Sequence, residues 1–273
     1  MPDRRIKNAK IFKDTEYQYR TNETLKAVIS RSVQCQTMIP ASAVLEEKWM
    51  EGFAGKVVVS GKRSLEASKK YAKEGKRVGV LNFASATTPG GGVIHGSSAQ
   101  EEAICRCSTL YPCLNTEQMW KLFYLPHRKA DNPLYNDDCI FTSAVKVFKE
   151  DTDFPELLLK KDWWDVDVIT CAAPNLRAMQ GVRNISYKDL KALYLARIKK
   201  IFAVAMANKT EVLILGAFGC GAFGNPPELV AEAFAICTEK YRTAFETIEY
   251  AVFHTEREKR NYVVFQEAMK RLL

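Results

Sequence analysis

Residues 90–111 read GGGVIHGSSAQEEAICRCSTLY: three successive glycines, seven residues, a Gln-Glu-Glu triplet at 100–102, then an apolar helical pattern. Three glycines in a row are costly in conformational entropy. They are expected where main chain turns through positive φ or passes very close to another group. Their bare N–H groups can also form a nest for phosphate oxygens. Ser98-Ala99-Gln100-Glu101 fits a capping box, with Ser98 as N-cap and Glu101 three residues on. The helix would then bury Ala103, Ile104, Cys107 and Leu110. Glu101 has that structural explanation. Glu102 gains only a modest dipole benefit, so it is either a solvent-facing residue of the first turn or a group with a chemical task.

Around this stretch the chain alternates two kinds of pattern. Apolar or β-branched runs at 56–60 (KVVVS), 77–83 (RVGVLNF), 139–148 (CIFTSAVKVF), 166–172 (VDVITCA), 211–217 (EVLILGA) and 249–253 (EYAVF) predict strands covered on both faces. Helical patterns lie between them over Ser64 to Glu74, Tyr187 to Ala207, the segment after Asn225-Pro226-Pro227, and from about Arg260. Such alternation predicts an α/β three-layer domain with a mostly parallel or mixed sheet. Ligands bind such sheets beyond the carboxyl ends of strands. No low-complexity linker or repeat divides the sequence, so residues 1–273 read as one domain.

Two post-strand loops stand out. One follows Phe83 and runs through Ser85 to Gly90, Gly91 and Gly92. The other is Gly216-Ala217-Phe218-Gly219-Cys220-Gly221-Ala222-Phe223-Gly224-Asn225, with Asn225 a good N-cap and Pro226 suited to a first helical turn. A strand opening into a glycine loop that ends at a helix N-terminus is a natural diphosphate site. No Gly-Lys-Ser/Thr follows, so it is not a Walker loop. No acidic residue ends a second strand about 20 residues on, as the dinucleotide fingerprint requires. Phe223 either stacks on a ribose or base or anchors the loop in the core.

The rest of the composition narrows the classes. The eight cysteines are scattered without a CxxC pair, and there are only three histidines, so reduced structural thiols and no metal site are expected. The first residues carry basic side chains without an apolar core, so no leader is expected. No apolar run approaches the roughly 18 residues of a membrane span. No membrane association and a cytoplasmic location are expected. The net charge of +8, from 40 basic and 32 acidic residues, suits a polyanionic partner or simply a basic surface. No nucleic-acid motif accompanies it, so direct nucleic-acid binding is not expected.

Adjacent carboxylates suit a division of labour at a glycosidic bond. One stays ionised against sugar hydroxyls. The other, kept protonated by its charged neighbour, a ligand diphosphate or desolvation, donates a proton.

The glycine triplet, the spacing and the Gln-Glu-Glu resemble the signature of poly(ADP-ribose) glycohydrolases. LNFASATTPGGG with AQEEAICRCSTLY, DVITCAAPN and LGAFGCGAFGNPP together resemble the bacterial-type members, which are built on a macrodomain. The resemblance implies an α/β/α macrodomain with a central mixed sheet and a helical N-terminal extension of about residues 1–50. It implies hydrolysis of ribose–ribose O-glycosidic bonds in poly(ADP-ribose), or action on ADP-ribosylated protein, with ADP-ribose as product and no cofactor. Glu102 would be the general acid and then the base that activates water, and Glu101 would hold ribose hydroxyls. Gly90, Gly91, Gly92 and Gln100 would line the diphosphate and distal ribose, facing Gly219, Cys220, Gly221, Ala222, Phe223 and Gly224. Asn82 and Ser85 lie where macrodomains place a ribose contact, although FAS replaces the commoner FAN. Competing readings are a module that binds ADP-ribose without cleaving polymer, and a hydrolase of mono-ADP-ribosylated protein. Asn175 reads as a pocket border or a turn, His95 as a loop residue, and Asn132-Pro133-Leu134-Tyr135 as a turn without assigned function.

Overall fold

The structure, a computed structural model, describes residues 2–45, 52–179 and 184–273. Its centre is a seven-stranded mixed sheet in the order β1-β4-β5-β3-β6-β7-β2. The strands are β1 (Thr37–Ile39), β2 (Lys56–Ser60), β3 (Val78–Phe83), β4 (Cys139–Val147), β5 (Trp164–Cys171), β6 (Val212–Leu215) and β7 (Thr247–Ala251). Strands β5, β3, β6, β7 and β2 run parallel. Strand β4 is antiparallel to both β5 and β1. The carboxyl ends of the parallel strands therefore share one edge, and the loops after β3 and β6, whose strands pair directly, emerge side by side.

Continuous hydrophobicity in these strands reflects two buried faces. Val78, Val80, Val166, Val168, Val212 and Ile214 point into one core, while Leu81, Ile169, Leu213 and Leu215 point into the other. Burying each such side chain contributes about 1.5–3 kcal/mol. The first face is covered by α3 (Ser64–Lys73) and α4 (Gln100–Cys107), followed by the short helices α5 (Leu110–Leu114), α6 (Glu117–Met119) and α7 (Leu125–Ala130). The opposite face is covered by α9 (Tyr187–Ala207), α10 (Pro227–Tyr241) and α11 (Arg260–Met269), with α8 (Leu176–Met179) in the loop after β5. The α/β/α layering and mixed sheet expected from the sequence are present. No helix among the described residues is long and apolar enough to cross a membrane.

Three local expectations need correction. The helical extension runs only through α1 (Pro2–Thr21) and α2 (Glu23–Gln34). Thr37–Ile39 then becomes the edge strand β1, pairing antiparallel with Cys139–Phe141, and residues 46–50 of the expected extension lie outside the described residues. Helix α4 starts after Ala99, without a side-chain cap. Ser98 forms no capping box because Glu101 is drawn to a different donor, described below, and Leu110 belongs to the next helix. At α10 the N-cap is Pro226 rather than Asn225.

Helix α1 docks on the glycine segment through a stripe at helical spacing, Asn8, Phe12, Thr15 and Tyr19, all buried. Asn8 donates to the Gly96 carbonyl at 3.1 Å, and Thr15 donates to the Arg106 carbonyl at 2.6 Å. At Gly96, with φ +75°, a side chain would collide with the Arg5 backbone. The helix backbone thus closes directly over the segment that carries the Gln-Glu-Glu triplet.

Candidate active site

Gln100, Glu101 and Glu102 occupy the first turn of α4, and each accepts a backbone N–H from the loop leaving β3. The Gln100 amide oxygen takes Phe83 N–H at 2.9 Å, Glu101 Oε2 takes Ser85 N–H at 2.7 Å, and Glu102 Oε1 takes Gly92 N–H at 2.9 Å. Three consecutive side chains thereby wrap the glycine loop around the helix start. Gln100 also donates to the Leu81 carbonyl and to Ser64, so its amide is spent on the scaffold rather than offered to a ligand. Gly90 faces the Tyr111 ring. Gly91 N–H goes to the Thr88 carbonyl. With Gly92 also engaged, the first loop is not the free phosphate nest expected; its N–H groups shape the carboxylate site.

The two carboxylates differ in a way that matters chemically. Glu101 is 3% exposed and both its oxygens are engaged, Oε2 by Ser85 and Oε1 by Asn82 Nδ2 at 3.3 Å. Glu102 is also buried, not solvent-facing, and its Oε2 has no partner among the described residues. Glu102 lines a cavity of about 270 Å³ together with Ser85, Gly91 and Phe223. Asn82 is fully buried and bonded to Glu101 and Thr170, which withdraws it from the expected ribose contact and makes it a support for Glu101. Ser85 does line the cleft, and its hydroxyl accepts N–H groups from Thr87 and Thr88.

Burial pushes the Glu101 carboxyl up to about 8, with the charge of Glu102 adding to the rise and the Ser85 N–H opposing it. The Glu101 carboxyl therefore keeps its proton well above the usual carboxylate range. The folded protein binds that proton more tightly than the unfolded chain does. The contribution of this group to stability is therefore complete below the ordinary value of 4.5 and is lost as pH rises toward about 8. Glu101→Gln is expected to raise Tm by ~4 °C or more at pH 8.5 and by no more than ~2 °C at pH 5. A gain of equal size at both pH values in thermal scans would refute the assignment.

The second loop stands opposite. Gly219, Gly221, Ala222 and Phe223 line the cleft, and their N–H groups donate to no protein acceptor among the described residues. The N–H groups of Cys220 and Gly224 are taken by the carbonyls of Ala217 and Gly221. Here, rather than in the glycine triplet, free donors face the cavity. Asn225 does not cap α10; its buried Nδ2 bridges the Pro174 carbonyl at 2.7 Å and the Gly219 carbonyl at 3.0 Å, stapling this loop to the one after β5. Asn225→Ala removes both side-chain bonds and leaves the Pro174 carbonyl without that donor, while the Gly219 carbonyl keeps the backbone N–H of residue 225; the change is expected to cost about 1–3 kcal/mol. Urea denaturation tests it, and a change under ~0.5 kcal/mol would contradict the staple.

The cleft continues past Gln100 and Ala217 into a second cavity of about 180 Å³, which the sequence reading missed. Arg63 lies 4.0 Å over the Phe253 ring there. Asp151 gives Oδ2 to Leu65 N–H, while its buried Oδ1 has no partner among the described residues. Burial lifts the Asp151 carboxyl to about 6 against the opposing charge of Arg63. Asn261 borders both cavities. Phe253 could have been found by searching the loop after β7, which opens on the same sheet edge. Of the residues left open, Asn175 caps α8 by accepting Ala178 N–H, and His95 is exposed at the end of a 3-10 turn, Val93–His95, rather than in irregular loop.

A three-layer α/β/α domain with a buried carboxylate pair and a free-donor loop at the carboxyl edge of its sheet is an enzyme catalytic domain of macrodomain type. Residues 6–150, which include β3, the loop carrying Gly90, Gly91 and Gly92, and α4, match the family described as "Microbial-type PARG, catalytic domain". The chain belongs to this family of microbial-type poly(ADP-ribose) glycohydrolase (PARG) catalytic domains. Among solved structures it is similar to the poly(ADP-ribose) glycohydrolase of Thermomonospora curvata, at 29% identity over 98% of this chain and 100% of that one, with a TM-score of 0.85. The same enzyme bound to the inhibitor ADP-HPD matches at 29% identity over 95% and 98% of the two chains, with a TM-score of 0.83. The Deinococcus radiodurans enzyme in complex with ADP-ribose matches at 27% identity over 89% and 97%, with a TM-score of 0.79. Comparison with curated proteins gives no match.

Proposed function

We propose that this protein hydrolyses ribose–ribose O-glycosidic bonds in poly(ADP-ribose) and releases ADP-ribose, with the whole chain as the catalytic unit. The observation that carries the reading is Glu102, a residue of the cleft wall whose Oε1 accepts Gly92 N–H while its Oε2 has no partner among the described residues. The diphosphate sits against the free N–H groups of Gly221, Ala222 and Phe223, with the Phe223 ring against the distal ribose. The adenine enters the second cavity, where Phe253 offers a face and Asp151 Oδ1 an acceptor for an amino group. Bound this way, the glycosidic oxygen lies beside Glu102.

Glu102 transfers a proton to the leaving 2′-oxygen as the C1″–O bond breaks, and the oxocarbenium charge is stabilised by the diphosphate and the carboxylates. The Glu102 carboxylate then takes a proton from water as its oxygen adds to C1″, which restores the acid. Glu101, fixed by Asn82 and Ser85, accepts hydrogen bonds from ribose hydroxyls through its remaining lone pairs. The residues that hold this chemistry are all protein groups, and a cytoplasmic setting fits eight unpaired cysteines. Incubation of wild type and Glu102→Gln with labelled poly(ADP-ribose), with products separated by chromatography, tests the reading. Release of ADP-ribose by wild type is expected; intact polymer with folded wild type, alongside measurable ADP-ribose binding, would make the protein a binding module instead.

A further inference from the structure

A larger cavity of about 600 Å³ adjoins the cleft across Tyr135, shares no lining residue with the cavity that holds Phe253, and is not used by the bound terminal unit described above. Thr87, Arg128, Asn132 and Tyr135 line it, with Asp131 as its carboxylate. Tyr135 stands between the two spaces. Its ring centroid is 6.4 Å from that of Phe223 in the cleft and 5.9 Å from that of His127. Tyr135 also holds φ +53°, a left-handed conformation that is strained for a bulky residue and persists only where its surroundings impose it.

Those surroundings are unusually complete. Arg197, 1% exposed, donates to the Leu134 carbonyl at 3.1 Å and to Asp137 at 2.8 Å. Asn175 N–H donates to the Pro133 carbonyl at 2.7 Å, and the His127 ring bonds Asn136 at 2.8 Å. A buried cation and two polar anchors therefore hold one aromatic ring at a cavity wall, with no hydrogen-bond partner for its hydroxyl among the described residues. Beside it Arg128 is fixed in turn, by Nε to the Thr87 carbonyl at 2.7 Å, by Nη2 to the Thr88 hydroxyl at 3.4 Å and by stacking 4.7 Å over Trp120, and it lines the cavity with further N–H groups to spare.

We propose that this cavity is a subsite for the leaving ADP-ribosyl unit, in which Tyr135 stacks on its adenine and Arg128 pairs with its diphosphate. The inference rests on the proposed hydrolysis of poly(ADP-ribose). In that polymer the oxygen leaving C1″ belongs to the adenosine ribose of the next unit. A base and a diphosphate therefore emerge directly beside the scissile bond, and they call for an aromatic face and a planar cation. Terminal ADP-ribose alone would not reach either residue.

The test uses the full chain carrying Glu102→Gln and compares calorimetric binding of ADP-ribose with that of the two-unit oligomer. The oligomer is expected to bind about tenfold tighter, the scale of one base–aromatic stack. Tyr135→Ala should abolish that preference while leaving the ADP-ribose Kd within ~2-fold. Tyr135→Asn, which tolerates the left-handed backbone, should do the same, and Tyr135→Phe should keep it. Arg128→Gln should narrow the preference and flatten its salt dependence. Equal binding of the two ligands by the Glu102→Gln protein, or equal weakening of both by the Tyr135 variants, would overturn the subsite. Turnover of polymer by wild type is read separately: its absence with the oligomer preference intact would refute the hydrolase reading and leave the subsite standing.

Discussion

Glu102→Gln is expected to lower kcat on poly(ADP-ribose) by about 10²–10⁴-fold, the usual worth of a positioned general acid, with the Kd for ADP-ribose within ~3-fold of wild type. Glutamine has nearly the same shape and its carbonyl can still accept Gly92 N–H, so the loop keeps its fold. What is lost is the carboxyl group to which the proposed proton transfer is assigned, whose Oε2 has no protein partner among the described residues. Because the missing interaction operates in the transition state, the effect should fall on kcat rather than on binding. Steady-state rates and calorimetry on the same preparations decide the matter. Turnover within fivefold of wild type would remove Glu102 from the proposed chemistry and direct attention to Glu101.

Gly91→Ala is expected to reduce activity by at least ~100-fold and to cost about 1–3 kcal/mol of stability. Gly91 has φ +57°, and a methyl group there would sit 2.6 Å from Glu102 Oε1 and 3.1 Å from Glu101 Oε2. Neither carboxylate can retreat without abandoning a backbone N–H, on Gly92 or Ser85, so the substitution displaces the acid itself. Gly221→Ala is the matched control for stability: its φ is not left-handed and nothing lies within 4 Å of an added methyl. Thermal unfolding should separate the two variants by several degrees. A Gly91→Ala protein as stable and active as wild type would show that the carboxylates do not depend on close backbone approach.

These two positions show where sequence reading succeeded and where it stopped. The glycine triplet and the Gln-Glu-Glu are recognisable as one functional unit, and the positive φ and close approach expected of the glycines are present at Gly90 and Gly91, but the expected phosphate nest is not. They were expected to offer free N–H groups to phosphate. Instead Gly91 and Gly92 give theirs to the Thr88 carbonyl and to Glu102, and the free donors sit in the 219–223 loop. Glu101 looked like the third residue of a capping box because spacing alone cannot distinguish a local N–H from one 16 residues back, at Ser85. Short elements were also missed. Strand Thr37–Ile39 is too brief to show a period, and Pro112 and Pro126 interrupt the helical pattern between residues 110 and 130.

The amino-acid sequence by itself determined the order of the long strands and helices, the two loops at the sheet edge and the family, because these are written in local periodicity, glycine placement and motif spacing. Tertiary structure alone decided that β3 and β6 lie side by side, and with them their loops. It also decided that one oxygen of Glu102 has no partner among the described residues, that α1 closes over Gly96, and that Phe253 and Tyr135 line separate cavities. The reason is physical. Local pattern records which face of an element is buried, whereas hydrogen bonds and ring contacts between distant segments depend on strand order and register, which bring together residues that have no periodic relation along the chain.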